Sequence, residues 1–335
     1  MATRPSARAS AWQLLIAVFI PLIICSSFSS AANSNANKKT SDASAVTPAA
    51  GSSLPSQVTT EGAAGGVSQT AGHATFGDIT SQKGGCIIGN PNTFISTADV
   101  DYQWNRMSKT VPPFKNLFFD QIVNNNGSLS YCVRWDSPEK LSKSVASKFG
   151  AMIARQFKIW NHWLIGYDCW PYEKIDIKVV GFAVRDASLL DWNDDSLGKI
   201  YEGVLDSEGV PKCPDECYKH LDFQPNADTS ACKGKPFDMS LWPSTDVPGQ
   251  RVDGAGGDWG QRVELDSMLK TMEDEQMMTL AHEIGHGFGL MDFYGPTDKT
   301  ATFPAALMYQ SETLTDADGW MLRRVLEHIK SRYNF

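Results

Sequence analysis

The 335-residue sequence predicts a domain of the α+β class, because one region carries both helical and strand patterns of apolar residues. Between residues 137 and 166, large apolar side chains recur every three or four positions, which is typical of a helix packed on a core. Between residues 175 and 184 they alternate, which is typical of a strand with one buried face. A second helical pattern covers residues 315–330, with Thr315 as its predicted cap and Asp318 three residues later. All three patterns fall within residues 83–335, which is long enough for one sizeable core.

Residues 1–32 have the pattern of a secretory signal peptide. Arg4 and Arg8 give it a positive start. An apolar core follows at residues 12–24, and small side chains at residues 29–32 suit a cleavage site. The core has about 13 residues, against roughly 20 for a helix that crosses a membrane. We therefore expect a secreted, extracellular protein without a membrane segment, with an uncleaved anchor as the alternative.

Residues 33–82 are rich in Ala, Ser, Thr and Gly and poor in large apolar side chains. Such a composition cannot bury enough surface to offset the entropy cost of ordering the chain. The sequence predicts a disordered linker or a short pro-segment here, followed by one domain at residues 83–335. Removal of residues 1–32 takes away two arginines and changes the formal net charge from −8 to −10. This acidic balance argues against a nucleic-acid partner and against an anionic membrane surface.

A hairpin is predicted at the start of the domain. Residues 116–123 and 129–135 are predicted as two strands, and the Asn-Asn-Asn-Gly sequence between them favours a tight turn. Asn126 in this turn begins the N-glycosylation sequence Asn-Gly-Ser. We expect its side chain to be exposed.

The following helix and strand have recognisable boundaries. Ser137 and Pro138 provide an N-cap and a first-turn proline, and Gly166 can end the helix. In the next strand the alternation slips between Val179 and Val180. A slip of this kind predicts a β-bulge that keeps one face buried.

The remainder of the domain is predicted as an irregular insertion followed by the elements that carry the chemistry. Residues 186–236 lack periodicity. A short strand is expected at residues 261–265, and Thr271 is a candidate N-cap for the next helix. The glycine-rich stretch at residues 254–260 lacks the lysine and the spacing of a phosphate-binding loop, so we assign it no nucleotide role.

The strongest functional signal is the stretch His-Glu-Ile-Gly-His-Gly-Phe-Gly-Leu-Met-Asp at residues 282–292. On a helix, His282 and His286 project from the same face one turn apart, so both imidazoles can bind one zinc ion. Glu283 is rotated by about 100° around the helix axis, where it can take a proton from a water at the metal. The pattern therefore predicts one catalytic Zn²⁺ with Glu283 as general base.

Downstream residues can complete this centre. Gly289 tolerates the left-handed conformation that ends a helix. Asp292 follows three residues later, so a chain that turns back can bring its carboxylate to the same metal as a third ligand. Tyr294 and Tyr309 are candidates to stabilise an oxyanion, although each could equally be a half-buried structural tyrosine.

The whole string, His-Glu-x-x-His-x-x-Gly-x-x-Asp, resembles the signature of the metzincin zinc peptidases, with aspartate in place of the usual third histidine. Zinc endopeptidases of the snapalysin type are similar. The match covers residues 271–310. The resemblance implies a zincin-like catalytic domain with a mixed twisted sheet, long helices, an active-site helix and a cleft. It also implies that Met308 forms a Met-turn beneath the zinc ligands.

Other metal ligands are considered as alternatives. Glu312 or Glu327 would supply the third ligand in a gluzincin-like centre. Acidic residues at 193–195 and 253–258 could bind Ca²⁺, but neither stretch matches a complete calcium-binding loop.

Six cysteines follow the predicted signal peptide, namely Cys86, Cys132, Cys169, Cys213, Cys217 and Cys232. An even number in an exported chain predicts three disulfide bonds, and the sequence does not choose among their pairings. Two alternatives involve metal. Cys86 could block the zinc centre, as in matrixin zymogens, and Cys213 and Cys217 could bind a metal together with His220. The export signal favours disulfides in both cases.

Together these observations predict a secreted zinc-dependent endopeptidase, acting on a protein or peptide substrate, and we expect a monomer. The alternative is a secreted cell-wall or polysaccharide-binding protein with a vestigial zinc site. It would use an aromatic platform, and nine of the ten tryptophans follow the signal peptide. Glu283 favours the enzyme, because a purely structural zinc site has no use for a base.

Overall fold

A mixed sheet of six strands forms the framework that carries the candidate site residues. The computed structural model describes residues 78–81, 86–91, 94–245 and 254–335. All of them belong to one compact unit. The predicted signal peptide and most of the predicted linker lie outside the described residues. The last part of that linker is an exception, because residues 78–81 form a strand.

The strands are β1 (Asp78–Ser81), β2 (Ile87–Asn90), β3 (Ser128–Arg134), β4 (Asp176–Val184), β5 (Lys199–Glu202), β6 (Met239–Ser244), β7 (Gly254–Gly257) and β8 (Gly260–Glu264). The α-helices are α1 (Thr97–Met107), α2 (Phe118–Asn124), α3 (Lys143–Ala146), α4 (Phe149–Asn161), α5 (Leu265–Thr271), α6 (Met278–Gly287) and α7 (Asp316–Ile329). Strands β1 and β2 pair as a separate antiparallel ribbon.

The large sheet has the strand order β5-β4-β3-β6-β8-β7. Its first five strands are parallel, and β7 at the edge runs antiparallel to β8. In the central strand β3, Tyr131, Cys132 and Val133 are all completely buried, as expected of a strand covered on both faces. The fold is therefore mixed α and β with a mostly parallel sheet, which is compatible with the predicted α+β class.

The β-bulge predicted in β4 is confirmed. Tyr131 of β3 pairs with Val179, and the next residue, Cys132, pairs with Gly181. Val180 is therefore the extra residue. From this point to its end the strand is buried at every position, whereas the first half alternates. The slip in the apolar pattern thus marked a real change in pairing.

The strand predicted at residues 116–123 is wrong, because this stretch forms helix α2. The Asp120 carboxylate accepts a hydrogen bond from Leu117 N at 3.0 Å, which satisfies a backbone donor at the start of the helix. The helix is buried on most sides, so its apolar residues do not show a one-sided helical pattern. The Asn-Gly turn joins α2 to β3, and Asn126 in it is exposed, as predicted.

The first long helix begins later than predicted. The predicted cap, Ser137, begins neither helix. The Ser142 hydroxyl caps the short helix α3 by accepting from Val145 N at 3.2 Å. A short helix α3 precedes the long helix α4. The prediction that Gly166 ends this helix is wrong, because α4 already ends at Asn161, and Gly166, with a φ of 72°, lies in the turns that follow.

The predicted start of the site helix at Thr271 is also wrong. Thr271 ends α5, and α6 begins at Met278. The Met277 backbone N–H donates to Gln156 Oε1 of α4 at 2.8 Å. This cap comes from a residue distant in sequence, so local patterns do not reveal it.

The six cysteines form the three predicted disulfide bonds. The pairs are Cys86 with Cys169, Cys132 with Cys213, and Cys217 with Cys232. These pairs exclude Cys86 as a ligand that blocks the zinc centre, and they exclude Cys213 and Cys217 as partners of His220 in a metal site. Disulfides indicate an oxidising, extracellular environment. No helix in the described part of the chain is long and apolar enough to cross a membrane.

Asp238 is a buried carboxylate that joins β3, β6 and the irregular insertion. It accepts hydrogen bonds from Ser130 N and Ser130 Oγ, both at 2.7 Å, and from Asn125 Nδ2 at 2.8 Å. Lys219 Nζ and His220 Nε2 each lie 3.1 Å from its Oδ1. Burial alone would raise the pKa of Asp238, but the bonds from His220 and Ser130 and the charge of Lys219 hold it at about 2.

We predict that Asp238→Asn destabilises the fold at neutral pH and that this loss shrinks in acid. A carboxyl whose pKa is lower in the folded than in the unfolded chain stabilises the fold above the unfolded pKa, and the contribution fades as pH falls from about 4 toward 2. The shift corresponds to roughly 2 kcal/mol. Urea unfolding of wild type and variant at neutral pH and near pH 3 measures it. Asp195→Asn, in an exposed ion pair with Lys199, is the control. An equal loss at both pH values would contradict the prediction.

Candidate metal centre

Helix α6 presents His282 and His286 to a cleft of about 1340 Å³. The helix ends where predicted, and Gly289 has a φ of 93°. Leu290 N donates to Gly285 O at 3.1 Å, and Gly289 N donates to His286 O at 2.9 Å. These two bonds form a Schellman motif, which turns the chain as it leaves the helix.

Both imidazoles are oriented by backbone carbonyls. His282 Nδ1 lies 2.8 Å from Leu307 O, and His286 Nδ1 lies 2.8 Å from Leu290 O. A ring nitrogen that bonds a carbonyl carries the proton, so Nε2 of each neutral ring keeps its lone pair. A histidine held in this way is typical of metal sites.

The Asp292 carboxylate meets these two nitrogens. Its Oδ1 lies 3.0 Å from His282 Nε2 and 3.6 Å from His286 Nε2. Ligand atoms about 2.0–2.1 Å from a tetrahedral zinc ion are about 3.3 Å from each other, so both of these separations are close to those of zinc ligands. His282, Glu283 and His286 also offer ligand atoms within 4.8 Å of one another, a group that could hold a metal ion. Imidazole nitrogens suit zinc better than they suit Ca²⁺ or Mg²⁺, which prefer oxygen.

Glu283 lies beside the two histidines and is almost completely buried. Its Oε2 is 3.8 Å from His286 Nε2, farther than Asp292 Oδ1 is from either histidine. Asp292 is therefore better placed as the third ligand. Burial raises the pKa of Glu283 to about 7, opposed by the charge of His282 and assisted by that of Asp292. A carboxyl that titrates near neutral pH can both take up and release a proton.

The three candidate ligands influence one another's protonation. Burial lowers the pKa of His286. Burial acts in the same direction on His282, but its hydrogen bonds to Asp292 and Leu307 raise its pKa overall. For Asp292, burial would raise the pKa, yet the bond to His282 and the nearby imidazoles lower it overall. Asp292 is therefore ionised at neutral pH, as a metal ligand must be.

The edge strand β7 passes directly against α6, which explains its Gly-Ala-Gly-Gly sequence. A methyl group on Gly254 would lie 2.4 Å from Glu283 Oε1. A methyl group on Gly256 would lie 2.2 Å from the Glu283 carbonyl oxygen. Both distances are far shorter than a nonbonded contact. The glycines therefore determine how closely the strand approaches Glu283, a role that the sequence analysis missed.

Met308 is completely buried against α6, and its Sδ would lie 2.5 Å from a methyl group on Gly285. The turn that contains it is held by Asp318, whose carboxylate accepts from Leu307 N at 2.8 Å and from Met308 N at 3.2 Å. The same carboxylate forms the predicted cap of α7. Because Leu307 O bonds His282, Asp318 positions that imidazole through one intervening residue.

Helix α1, for which no element was predicted, holds the loop that carries Asp292. Arg106 donates to Asp292 O at 3.3 Å and forms an ion pair with Asp298 at 3.0 Å. Gln103 Nε2 donates to Asp298 O at 2.9 Å. One helix therefore fixes the backbone at the proposed third ligand and six residues further on. Buried residues at Val100, Gln103, Trp104 and Met107 follow helical spacing.

The two candidate tyrosines line the same cleft in different settings. Tyr294 is 59% exposed, its ring lies 6.4 Å from the His282 ring, and its hydroxyl bonds Asp292. Tyr309 is half-buried, with the Lys299 ammonium 3.7 Å from its ring centre. Tyr294 is therefore the one that contacts the proposed centre.

The alternative third ligands lie elsewhere. Glu327 bonds the Tyr167 hydroxyl and forms an ion pair with Arg324 at 2.9 Å. Glu312 is exposed and does not line the cleft. Neither residue is placed to complete the centre.

No calcium site emerges from the acidic residues considered for it. Asp194 pairs with Lys143 at 2.8 Å, Asp195 pairs with Lys199 at 3.2 Å, and Asp253 lies outside the described residues. Within the described ranges, the group around His282 is the one cluster of at least three His, Cys, Asp or Glu side chains close enough to share a metal ion.

No model of a known protein family matches the chain. No curated protein sequence matches it either. The geometry of the centre is therefore the basis for any assignment of function.

We predict that Arg106→Met lowers zinc affinity by roughly 10- to 100-fold, the usual effect of losing a group that orients a metal ligand. Methionine keeps most of the buried volume but cannot hold the Asp292 carbonyl. Competition titration against a chromophoric chelator measures the affinity. Lys148→Met, which removes only an exposed ion pair with Glu273, should leave it unchanged. Equal affinity in Arg106→Met and wild type would show that α1 does not position the ligand.

We also predict that Gly256→Ala destabilises the protein by roughly 1–3 kcal/mol, because the added methyl group must displace strand or helix. Urea unfolding gives the free energy of unfolding. Ala255→Ser is the matched control, since Ala255 is exposed on the same strand. A loss no larger than that of the control would disprove the close contact.

Proposed function

We propose that this protein is a secreted zinc-dependent endopeptidase. The observation that carries the proposal is the convergence of His282 Nε2, His286 Nε2 and Asp292 Oδ1, with spacings of 3.0 and 3.6 Å from the aspartate oxygen. The nearly buried carboxylate of Glu283 lies next to them. Three ligands on a cleft wall leave room for water and substrate, which is the arrangement of catalytic rather than structural zinc.

The donor set fits zinc, because both imidazoles present Nε2 and Asp292 is ionised. A zinc ion held there would supply a Lewis acid that activates water and polarises a carbonyl group. Glu283 takes a proton from the water while the water oxygen bonds to the scissile carbonyl carbon. It then passes that proton to the amide nitrogen as the C–N bond breaks. Tyr294 is a candidate to donate a hydrogen bond to the oxyanion.

The cleft suits an extended peptide. Strand β7 lies at the edge of the large sheet and lines the cleft next to Glu283. The free edge of a strand can pair with an extended chain through backbone hydrogen bonds. Ala255 on this strand is exposed and has a small side chain. A peptide bound in this way would lie across the face of α6 that carries the centre.

Kinship with the metzincins is part of the same proposal. It is supported by the position of Asp292 after the turn at Gly289 and by Met308, which packs under Gly285. Secretion is supported by the N-terminal signal and by the three cysteine pairs. We propose a monomer and a protein or peptide substrate rather than nucleic acid, consistent with the acidic net charge of −8.

The alternative of a polysaccharide-binding protein has less support. It requires exposed aromatic rings in a flat array. None of the nine tryptophans in the described ranges is exposed. Trp242, one of the two half-buried ones, is flanked by the guanidinium groups of Arg134 and Arg262, at 4.4 and 4.7 Å from its ring centre.

We predict that the purified secreted chain contains one zinc ion and hydrolyses casein, and that Glu283→Gln lowers kcat by roughly 10²- to 10⁴-fold. Glutamine is isosteric but cannot accept the proton. Elemental analysis should find equal zinc in variant and wild type. Glu273→Gln, an exposed carboxylate, is the control and should keep full activity. Full zinc content without hydrolysis of any protein, before or after trimming of residues 33–77, would reject the peptidase and favour a binding role.

A further inference from the structure

The cleft beside the candidate centre has a one-sided charge. Four carboxylates line it, those of Asp258, Glu264, Glu283 and Asp292, and no lysine or arginine is among its described lining residues. Glu283 and Asp292 belong to the centre itself. Glu264 caps α5, because its two oxygens accept from Asp266 N at 3.0 Å and from Ser267 N at 2.6 Å. Of these four carboxylates, Asp258 is therefore the one that neither belongs to the centre nor caps a helix.

Asp258 is held rigidly by two buried amides. It lies between β7 and β8, and its Oδ2 accepts from Asn116 Nδ2 at 2.7 Å. Its carbonyl oxygen accepts from Gln121 Nε2 at 2.8 Å. Asn116 is 1% exposed and Gln121 is 0% exposed. These bonds orient the carboxylate and fix both amide groups with their nitrogens toward Asp258.

The surroundings of Asp258 have too few hydrogen-bond donors. Asn116 Oδ1 and Gln121 Oε1 are buried and have no hydrogen-bond partner within the described ranges. Burial raises the pKa of Asp258, and the bond from Asn116 offsets this only in part. A backbone hydrogen bond and the charge of His220 add to the bond from Asn116, yet together they do not cancel the effect of burial. A carboxylate that is poorly solvated in this way gains most from a cationic partner.

Apolar side chains line the same cleft as this carboxylate. Phe114 and Leu117 lie close to Asn116 in sequence and line the same cleft. The Phe114 ring packs edge-on against Phe223 at a centroid distance of 5.9 Å. Lysine and arginine place apolar stems along such surfaces and keep their charged ends at polar groups. A carboxylate that shares a cleft with apolar side chains therefore matches a basic side chain better than it matches an inorganic ion.

The length of β7 indicates how far Asp258 lies from the bond that is cleaved. Gly254 touches the Glu283 carboxylate, β7 runs about 10 Å from there to Gly257, and Asp258 follows in the turn. A long side chain covers roughly half of this distance, and two or three residues of extended peptide cover the remainder.

We propose that Asp258 forms a subsite for the lysine or arginine side chain of a peptide substrate, two or three residues from the bond that is cleaved. This inference rests on the proposed endopeptidase function. It names Asp258 as the residue that determines specificity and basic peptides as the substrate class.

The test uses fluorogenic peptides that are identical except for one residue, lysine or glutamine, placed in turn at each of three positions on either side of the cleavage point. With the wild-type secreted chain, the lysine peptide should have a kcat/KM at least tenfold higher than the glutamine peptide at one of these positions. In Asp258→Asn, which keeps an oxygen for Asn116, the ratio should fall below about threefold. Glu264→Gln is the matched acidic control and should keep the lysine preference.

A binding measurement separates this inference from the proposed function. Fluorescence anisotropy of the same labelled peptides on Glu283→Gln should give a Kd at least tenfold lower for lysine, and Asp258→Asn in that background should remove the difference. Hydrolysis without lysine preference in any register, with equal binding of both peptides, would overturn the subsite and leave the peptidase standing. Lysine-selective binding that depends on Asp258, without hydrolysis of any peptide, would support the subsite and reject the peptidase.

Discussion

Two backbone carbonyls, those of Leu290 and Leu307, set the orientation of both imidazoles, and much of the fold around the cleft holds these two groups in place. Each hydrogen bond is worth only about 1 kcal/mol in stability. Its value lies in direction, because it fixes the tautomer and points Nε2 into the cleft. The Leu290 carbonyl is placed by the turn that ends α6. The Leu307 carbonyl is placed by Asp318, which reaches across from α7.

Close packing around α6 explains why its sequence contains so many glycines. A methyl group on Gly287 would lie 2.1 Å from the Phe118 ring, and one on Gly285 would lie 2.9 Å from Trp160. Each glycine within a helix costs roughly 1 kcal/mol of helix stability relative to alanine. Here it allows large aromatic side chains to pack directly on the backbone, and buried aromatic area returns more than that cost. The helix that carries the ligands is thus intrinsically weak and is stabilised by its surroundings.

The sequence revealed the elements whose signals are local. The histidine spacing, the left-handed Gly289, the β-bulge in β4 and the cap at Asp318 all depend on residues a few positions apart, and all four are found in the structure. The errors concern elements for which the local apolar pattern is absent or misleading. Helix α2 was mistaken for a strand because burial on most sides removes the one-sided apolar pattern that identifies a helix.

Groups that act across long sequence separations were beyond reach of local patterns. The start of α6 depends on Gln156, which is 121 residues before Met277. Arg106 reaches the Asp292 carbonyl over 186 residues. Among the elements that the sequence analysis missed, helix α1 had a usable local signal. Its buried residues Val100, Gln103, Trp104 and Met107 are spaced as one helical face. A glutamine within that face weakens an apolar pattern, and Gln103 is buried because it bonds Asp298.

The acidic lining of the cleft imposes a condition on its occupants. Four carboxylates share one cavity, and its described lining residues contribute no lysine or arginine, which favours occupants that carry positive charge. The imbalance has two separate parts. At His282, His286 and Asp292 the imidazole nitrogens and the carboxylate could hold a metal ion. At Asp258 a carboxylate held by the Asn116 amide shares the cleft with the apolar side chains of Phe114 and Leu117, which suits an ammonium or guanidinium group on an apolar stem. We therefore expect two different cations in the cleft, one resident and one brought by the substrate.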